Sequence, residues 1–199
     1  VKSLLSLLIK GKKLRHPWPT RLLHWSYAPA VLAGILSGFY ITRPSRVHGF
    51  TNMDSARKTH FIAQYVLISS YLARVYYAYS AKNYREIIPD LKDIVRMPEF
   101  LKYQLFLTSK KPKFPKYNPG QKIVYTSFAL LIPVQIVTGL GLYVTKRFQK
   151  PATLAGGLNP LRKLHYLASV SISALAAGHI YFALTDSLKK LKSIFTGYK

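Results

Sequence analysis

The chain has 199 residues, 49% of them hydrophobic, and a formal charge of +24 from 30 Lys and Arg against 6 Asp and Glu. It has no cysteine, which excludes disulfides, thiolate-held metal, iron–sulfur clusters bound by this chain and covalently attached c-type haem, so any metal site must use histidine or oxygen ligands. So basic a chain could suit nucleic acid, but only Arg74 lies well inside an apolar block. The other basic residues stand between blocks long enough to cross a bilayer core of about 30 Å, and no nucleic-acid binding is expected.

In the first stretch, 1–13, the apolar run 4–9 is short for a signal peptide. Lys10, Lys12 and Lys13 follow it in place of a small-residue cleavage site, so a membrane-surface segment is expected rather than a removed signal. Four apolar spans follow, at about 22–42, 59–79, 123–145 and 164–185. Gln64, Ser69, Ser70 and Arg74 interrupt the second, whose alternative is a buried soluble helix. The expected fold is all-α: one integral membrane domain over 1–199, built as a four-helix bundle. In the loop 81–122, Pro89 and Pro98 each stand where a first helical turn tolerates proline. The stretch 98–107 alternates charge with Phe100, Leu101, Tyr103, Leu105 and Phe106, which predicts a short amphipathic helix on the membrane surface; a solvated connector is the alternative.

Lys and Arg set the orientation. The N-terminal flank, the loop between spans two and three and the C-terminal tail carry twenty of them, and the two opposite loops carry nine. Both termini should face the cytoplasm.

That topology gives each histidine a depth. His24 opens span one on the inner side; His60 opens span two and His165 opens span four, both on the outer side. His179 lies 14 positions beyond His165, about 21 Å along a helix and within about 40° of the same face. Depths therefore match two by two, His24 with His179 inside and His60 with His165 outside. Intramembrane ionisable groups are costly and usually functional, and imidazole ligates iron well. Two stacked haems are the expected cofactors, with both axial positions closed by histidine, a state suited to electron transfer. A lone histidine on an apolar face is usually just hydrogen-bonded; four paired in depth argue otherwise. His16 and His48, in loops beside prolines or glycine, are expected to be exposed; a place near a proton path is the alternative for His16. Gly34, Gly38, Gly139, Gly141 and Gly178 suit either close helix packing or room for a flat macrocycle. Arg74, 14 residues beyond His60, either pairs with a haem propionate or snorkels to the inner interface.

These residues carry a likeness. From Arg21 to Leu184 the chain resembles the dihaem cytochrome b subunit of membrane-bound nickel–iron hydrogenases and the related gamma subunit of respiratory formate dehydrogenase. Arg-Leu-Leu-His-Trp at 21–25 is similar to the first ligand motif, and His60-Phe61-Ile62-Ala63 with Arg74-Val75-Tyr76 to the hydrogenase second span. The stretch 101–107 before Lys-Lys-Pro also looks hydrogenase-like, 117–122 is closer to formate dehydrogenase, and His165 with 179–184 fits both. The resemblance implies an electron-transfer subunit of a quinone-linked oxidoreductase in the cell inner (cytoplasmic) membrane, multi-pass and embedded in lipid. Its partners would be an iron–sulfur subunit at the outer face and a large catalytic subunit. Its cofactors would be two haem b, with electrons passing from the outer to the inner one and on to menaquinone or ubiquinone. The family's quinone site matches Asn118 and Gly120 here; the alternative is a turn, since Asn-Pro-Gly is a turn signature. The chain departs from the pattern by ending soon after span four, without a tail that would embrace partner subunits. A free-standing cytochrome b561-type reductase and a haem-free anchor or transporter are the competing readings.

Overall fold

The computed structural model describes residues 13–198, so the surface segment expected at 1–13 lies almost wholly outside the described residues. Among the described residues the chain is helical, with β pairing confined to one bridge, Leu14 with Tyr198. The helices are α1 (Trp18–Thr42), α2 (Met53–Ser80), α3 (Tyr84–Ile87), α4 (Leu91–Val95), α5 (Met97–Gln104), α6 (Pro119–Tyr143), α7 (Gln149–Leu154), α8 (Leu158–Asp186) and α9 (Leu188–Thr196), with a 3-10 turn at Arg46–His48.

The four long helices begin four to six residues before the expected spans, because polar caps and prolines precede each apolar run. Pro19 sits in the first turn of α1, Asn52 accepts from the Ser55 N–H at 2.8 Å to cap α2, and Pro119 opens α6. Three of them, α1, α6 and Leu158–Thr185 of α8, are long and apolar enough to cross a membrane. At 28 residues α2 is long enough, but its polar residues keep it out of that set. Pro29 and Pro133 stand inside α1 and α6, where each removes a donor from the ladder; membrane helices tolerate this.

Two compact units divide the chain: one holds Val1–Tyr77 with Ile180–Lys199, the other Ala78–His179. In the first, α1 meets α2 through Ser37, Gly38 and His60. The C-terminal helix α9, unexpected within the basic tail, docks on the start of α1. Arg21 Nη1 donates to Phe195 O at 2.6 Å and Trp25 Nε1 to Ile194 O at 3.2 Å, satisfying carbonyls that a helix end leaves open. Gly197 ends α9 at φ 89°, and its carbonyl accepts from the N–H groups of Arg15 and His16.

In the second unit a helix, α5, forms where the short surface helix was expected, with shifted ends. Pro98 lies in the first turn of α5 as expected, but the helix stops at Gln104, because Phe106 takes a left-handed φ of 59° and Leu107 N bonds back to Lys102 O at 2.9 Å. Pro89 is corrected: it precedes the Asp90 N-cap of α4 and lies outside the helix. His16 and His48 are corrected too. His16 is buried where the α9 end covers it, and His48 is half-buried, its ring centroid 6.3 Å from Phe39 and 6.4 Å from Tyr40.

Candidate haem-ligand site

His60, on α2, has its Nδ1 3.0 Å from Ser37 Oγ on α1. Ser37 is fully buried, and its single hydroxyl proton goes to Ala33 O at 2.6 Å, shared with Gly34 O at 3.2 Å. This is the back-bond a serine makes inside a helix. The oxygen can then only accept from the ring, so the ring proton is on Nδ1 and the lone pair on Nε2. The ring lies against α1 at Gly38, where an added Cβ would stand 3.4 Å from His60 Cε1.

His165, on α8, repeats the arrangement. Its Nδ1 is 2.8 Å from Thr138 Oγ1 on α6, and Thr138 donates to Val134 O at 2.7 Å, shared with Gln135 O at 3.2 Å. The proton is again on Nδ1. The Gln135 amide nitrogen lies 3.0 Å from His165 Nε2, where it donates to the lone pair. Gln135 Oε1 is buried with no hydrogen-bond partner, a costly state that marks this as an unfinished polar site.

The other two histidines lie among aromatics. His24 is half-buried near the start of α1, edge-on to Trp25 at 4.9 Å. His179 shares the continuous helix α8 with His165 and is edge-on to Tyr125 at 5.9 Å; Tyr125 is edge-on to Tyr117 at 5.2 Å. Two edge-on contacts thus link His179 to the residue beside Asn118. Arg74 is half-buried on the same unbroken helix as His60.

Asn118 is the N-cap of α6. Its Oδ1 accepts from Gln121 N at 2.8 Å, and Gln121 Oε1 accepts from Asn118 N at 3.1 Å, a reciprocal capping box. The turn alternative therefore describes part of what Asn118 does; its amide NH₂ takes no part in the box. Gly120 has a packing duty as well, because an added Cβ would stand 2.5 Å from Cζ of the buried Phe100. Gly141 is likewise a close-packing glycine, its added Cβ 3.0 Å from Leu161, whereas Gly34 and Gly178 face open space. Beside the cap, Lys122 Nζ is 2.6 Å from Asp93 Oδ2, with both side chains 12% exposed. Burial pushes the Asp93 carboxyl up, but Lys122 and the hydrogen bonds from Asp90 hold it below the usual carboxylate range.

Ser37, Thr138, Gln135, Tyr125 and the Asp93–Lys122 pair were not singled out from the sequence. Each is a common residue in an apolar or basic stretch, and its partner is fixed only by how the helices pack. The donor set fits haem: imidazoles whose Nε2 carries the lone pair, oriented through Nδ1 as ligating histidines are.

Comparison with known proteins agrees. A family model described as prokaryotic cytochrome b561 matches residues 15–197. A probable Ni/Fe-hydrogenase B-type cytochrome subunit of Cupriavidus necator is 23% identical over 196 residues, covering 88% of this chain and 80% of the relative. Its counterpart in Azotobacter vinelandii is 25% identical over 200 residues, covering 89% and 82%. A relative from Azospira oryzae that carries the name of a protein-methionine-sulfoxide reductase subunit, YedZ1, is 24% identical over 185 residues, covering 83% and 87%. With nearly its whole length matched by that family model, the chain belongs to the prokaryotic cytochrome b561 family.

Proposed function

We propose that the chain is the dihaem b-type cytochrome anchor of a hydrogenase-type respiratory complex, carrying electrons between an iron–sulfur subunit at the outer face and the quinone pool. The observation that carries the haem reading is the Nδ1 hydrogen bonding of His60 and His165, which puts the lone pair on Nε2 in both; at His165 the Gln135 amide now donates to that lone pair and would give way to the iron. The names of the hydrogenase relatives support a hydrogenase complex as the partner; an iron–sulfur subunit and a large catalytic subunit are the partners proposed within it. On this reading α2 is the fourth span and both termini are cytoplasmic, which the twenty-to-nine distribution of Lys and Arg supports. Outward apolar side chains such as Leu130, Leu167 and Leu184, each more than half exposed, suit lipid in a multi-pass inner-membrane protein.

His24 and His179 would hold the inner haem b, and His60 and His165 the outer. Haem b, when bound, supplies the one-electron couple. The chain's own residues orient the imidazoles, exclude water with apolar helices and place Arg74 at the inner end of α2, suited to a propionate. Quinone, menaquinone or ubiquinone, is assigned to the cytoplasmic mouth of α6, where the Asn118 NH₂ can donate to a carbonyl oxygen. Protons for its reduction would enter from the cytoplasm.

Pyridine haemochrome analysis of the purified protein should give close to two haems per chain, and His60→Ala should remove one and spare the other. A clear value of none or one for the wild type refutes the reading. The name of the Azospira relative supports a second reading, in which the complex is a reductase in place of a hydrogenase; the identity of the copurifying partner separates the two.

A further inference from the structure

We infer that Ser37 and Thr138 are positioning residues that fix the tautomer and raise the basicity of His60 and His165. The inference rests on the haem-ligand reading of those two histidines. In each of two helical hairpins, a hydroxyl on the first helix accepts the Nδ1 proton of a histidine on the second. The distances are 3.0 Å for Ser37–His60 and 2.8 Å for Thr138–His165. In each, the hydroxyl proton is already committed to the carbonyl four residues back, at 2.6 Å and 2.7 Å. This second bond gives the first its direction. A hydroxyl with an uncommitted proton could donate to a bare Nδ1 and stabilise the opposite tautomer, with the proton on Nε2 where iron must bind. Once committed to its own helix, it can only accept. Both oxygens are shielded from water, Ser37 at 0% and Thr138 at 3% exposure, so solvent does not compete for the ring N–H. The Gln135 amide donating to His165 Nε2 at 3.0 Å reports the same tautomer independently.

An Nδ1–H bond to an acceptor pushes electron density onto the ring and makes Nε2 a stronger donor. A stronger donor favours ferric over ferrous iron, so each hydroxyl lowers the midpoint potential of the haem it serves. Deleting one hydrogen bond should move the ferric/ferrous ratio at fixed potential by up to about tenfold, which for one electron is about 59 mV upward.

The test is a redox titration of the purified, haem-loaded protein, with the two haem components followed by their absorption. His60→Ala and His165→Ala should remove the same component, the outer haem that both are proposed to ligate, and so identify it. Thr138→Val, which keeps the shape and removes the hydroxyl, should raise the potential of that component and leave the inner one unmoved, and Thr138→Ser should restore it. Ser37→Ala should raise the same outer component. If a variant instead loses its haem, selective loss of that one component in Thr138→Val with retention in Thr138→Ser supports the same assignment. Unchanged potentials at full haem content overturn the inference, and so does an equal disturbance of both components. A wild-type protein without haem would overturn the underlying reading instead, and haemochrome analysis of the same sample reports that separately.

Discussion

Asn118 combines a structural duty with a proposed ligand contact, and the structure shows how to separate them. Its side-chain oxygen caps α6 by accepting from Gln121 N at 2.8 Å; its NH₂ is the group proposed to reach quinone. Asn118→Leu removes both, and losing the cap alone costs about 1 kcal/mol, within a range of about 0.5–2. A slow Leu variant would therefore say little. Asn118→Ser keeps a cap of nearly equal strength but has no NH₂ and a shorter reach. If the NH₂ donates to quinone, the Ser variant should lose about 0.5–1.5 kcal/mol of quinone stabilisation, roughly two- to thirteen-fold in kcat/KM, while melting like the wild type. Asn118→Asp should also melt like the wild type or slightly higher, since a carboxylate at a helix N-terminus adds about 0.3–1 kcal/mol. The assay follows oxidation of prereduced haem by added quinone in stopped flow, beside thermal melting in the same detergent. Wild-type quinone oxidation in a normally melting Ser variant would confine Asn118 to its cap and refute the ligand role.

Gly120→Ala should destabilise the protein by about 1–3 kcal/mol, because its Cβ would stand 2.5 Å from the Phe100 ring; the helix-propensity gain of about 1 kcal/mol offsets only part. Gly120→Ala with Phe100→Leu should recover much of the loss in a melting experiment, and failure to do so would disprove the contact. Asp93→Asn should cost about 1.5–3 kcal/mol at pH 7 by removing the charge that Lys122 pairs with at 2.6 Å. Because the folded Asp93 carboxyl titrates below its ordinary range, its contribution is full above about pH 4 and is lost as pH falls through the lowered value. The melting difference between wild type and Asp93→Asn should therefore shrink as pH falls through that lowered value; a difference that does not shrink with falling pH would assign the loss to the capping bonds with Asp90.

The long helices were legible because an apolar run of some twenty residues has few alternatives, and because polar caps only extend it. The histidines proposed as ligands stood out because an imidazole in such a run is rare and costly. What escaped was whatever depends on the register between helices. Ser37 and Thr138 look from sequence like ordinary polar residues that bond their own backbone, which they do; that a histidine lies opposite is a fact of packing. The helix α9 did carry a signal in Leu188, Leu191, Ile194 and Phe195, spaced along one face, but Lys189, Lys190 and Lys192 made the stretch read as a basic tail. His16 and His48 were misread because a loop was equated with exposure. His16 is covered by the returning C-terminus, and His48 tucks beside Phe39 and Tyr40.

The choice of hydroxyls as partners for the imidazoles proposed as ligands follows from the solvent such a site would have. Ligating histidines commonly donate Nδ1–H to a carboxylate, a backbone carbonyl or water. The chain has six acidic residues, Asp54, Glu86, Asp90, Asp93, Glu99 and Asp186, and none falls within 22–42, 59–79, 123–145 or 164–185. A carboxylate there would be charged in hydrocarbon and expensive. Helical carbonyls are mostly taken by their own ladder. A serine or threonine that has already given its proton to the helix remains an acceptor without charge, and it needs no partner of its own when no imidazole faces it. In an apolar helix it is therefore the least costly group that can hold a histidine in the ligand tautomer. The presence of the same solution in both hairpins, with Ser37 in one and Thr138 in the other, follows from that constraint acting twice.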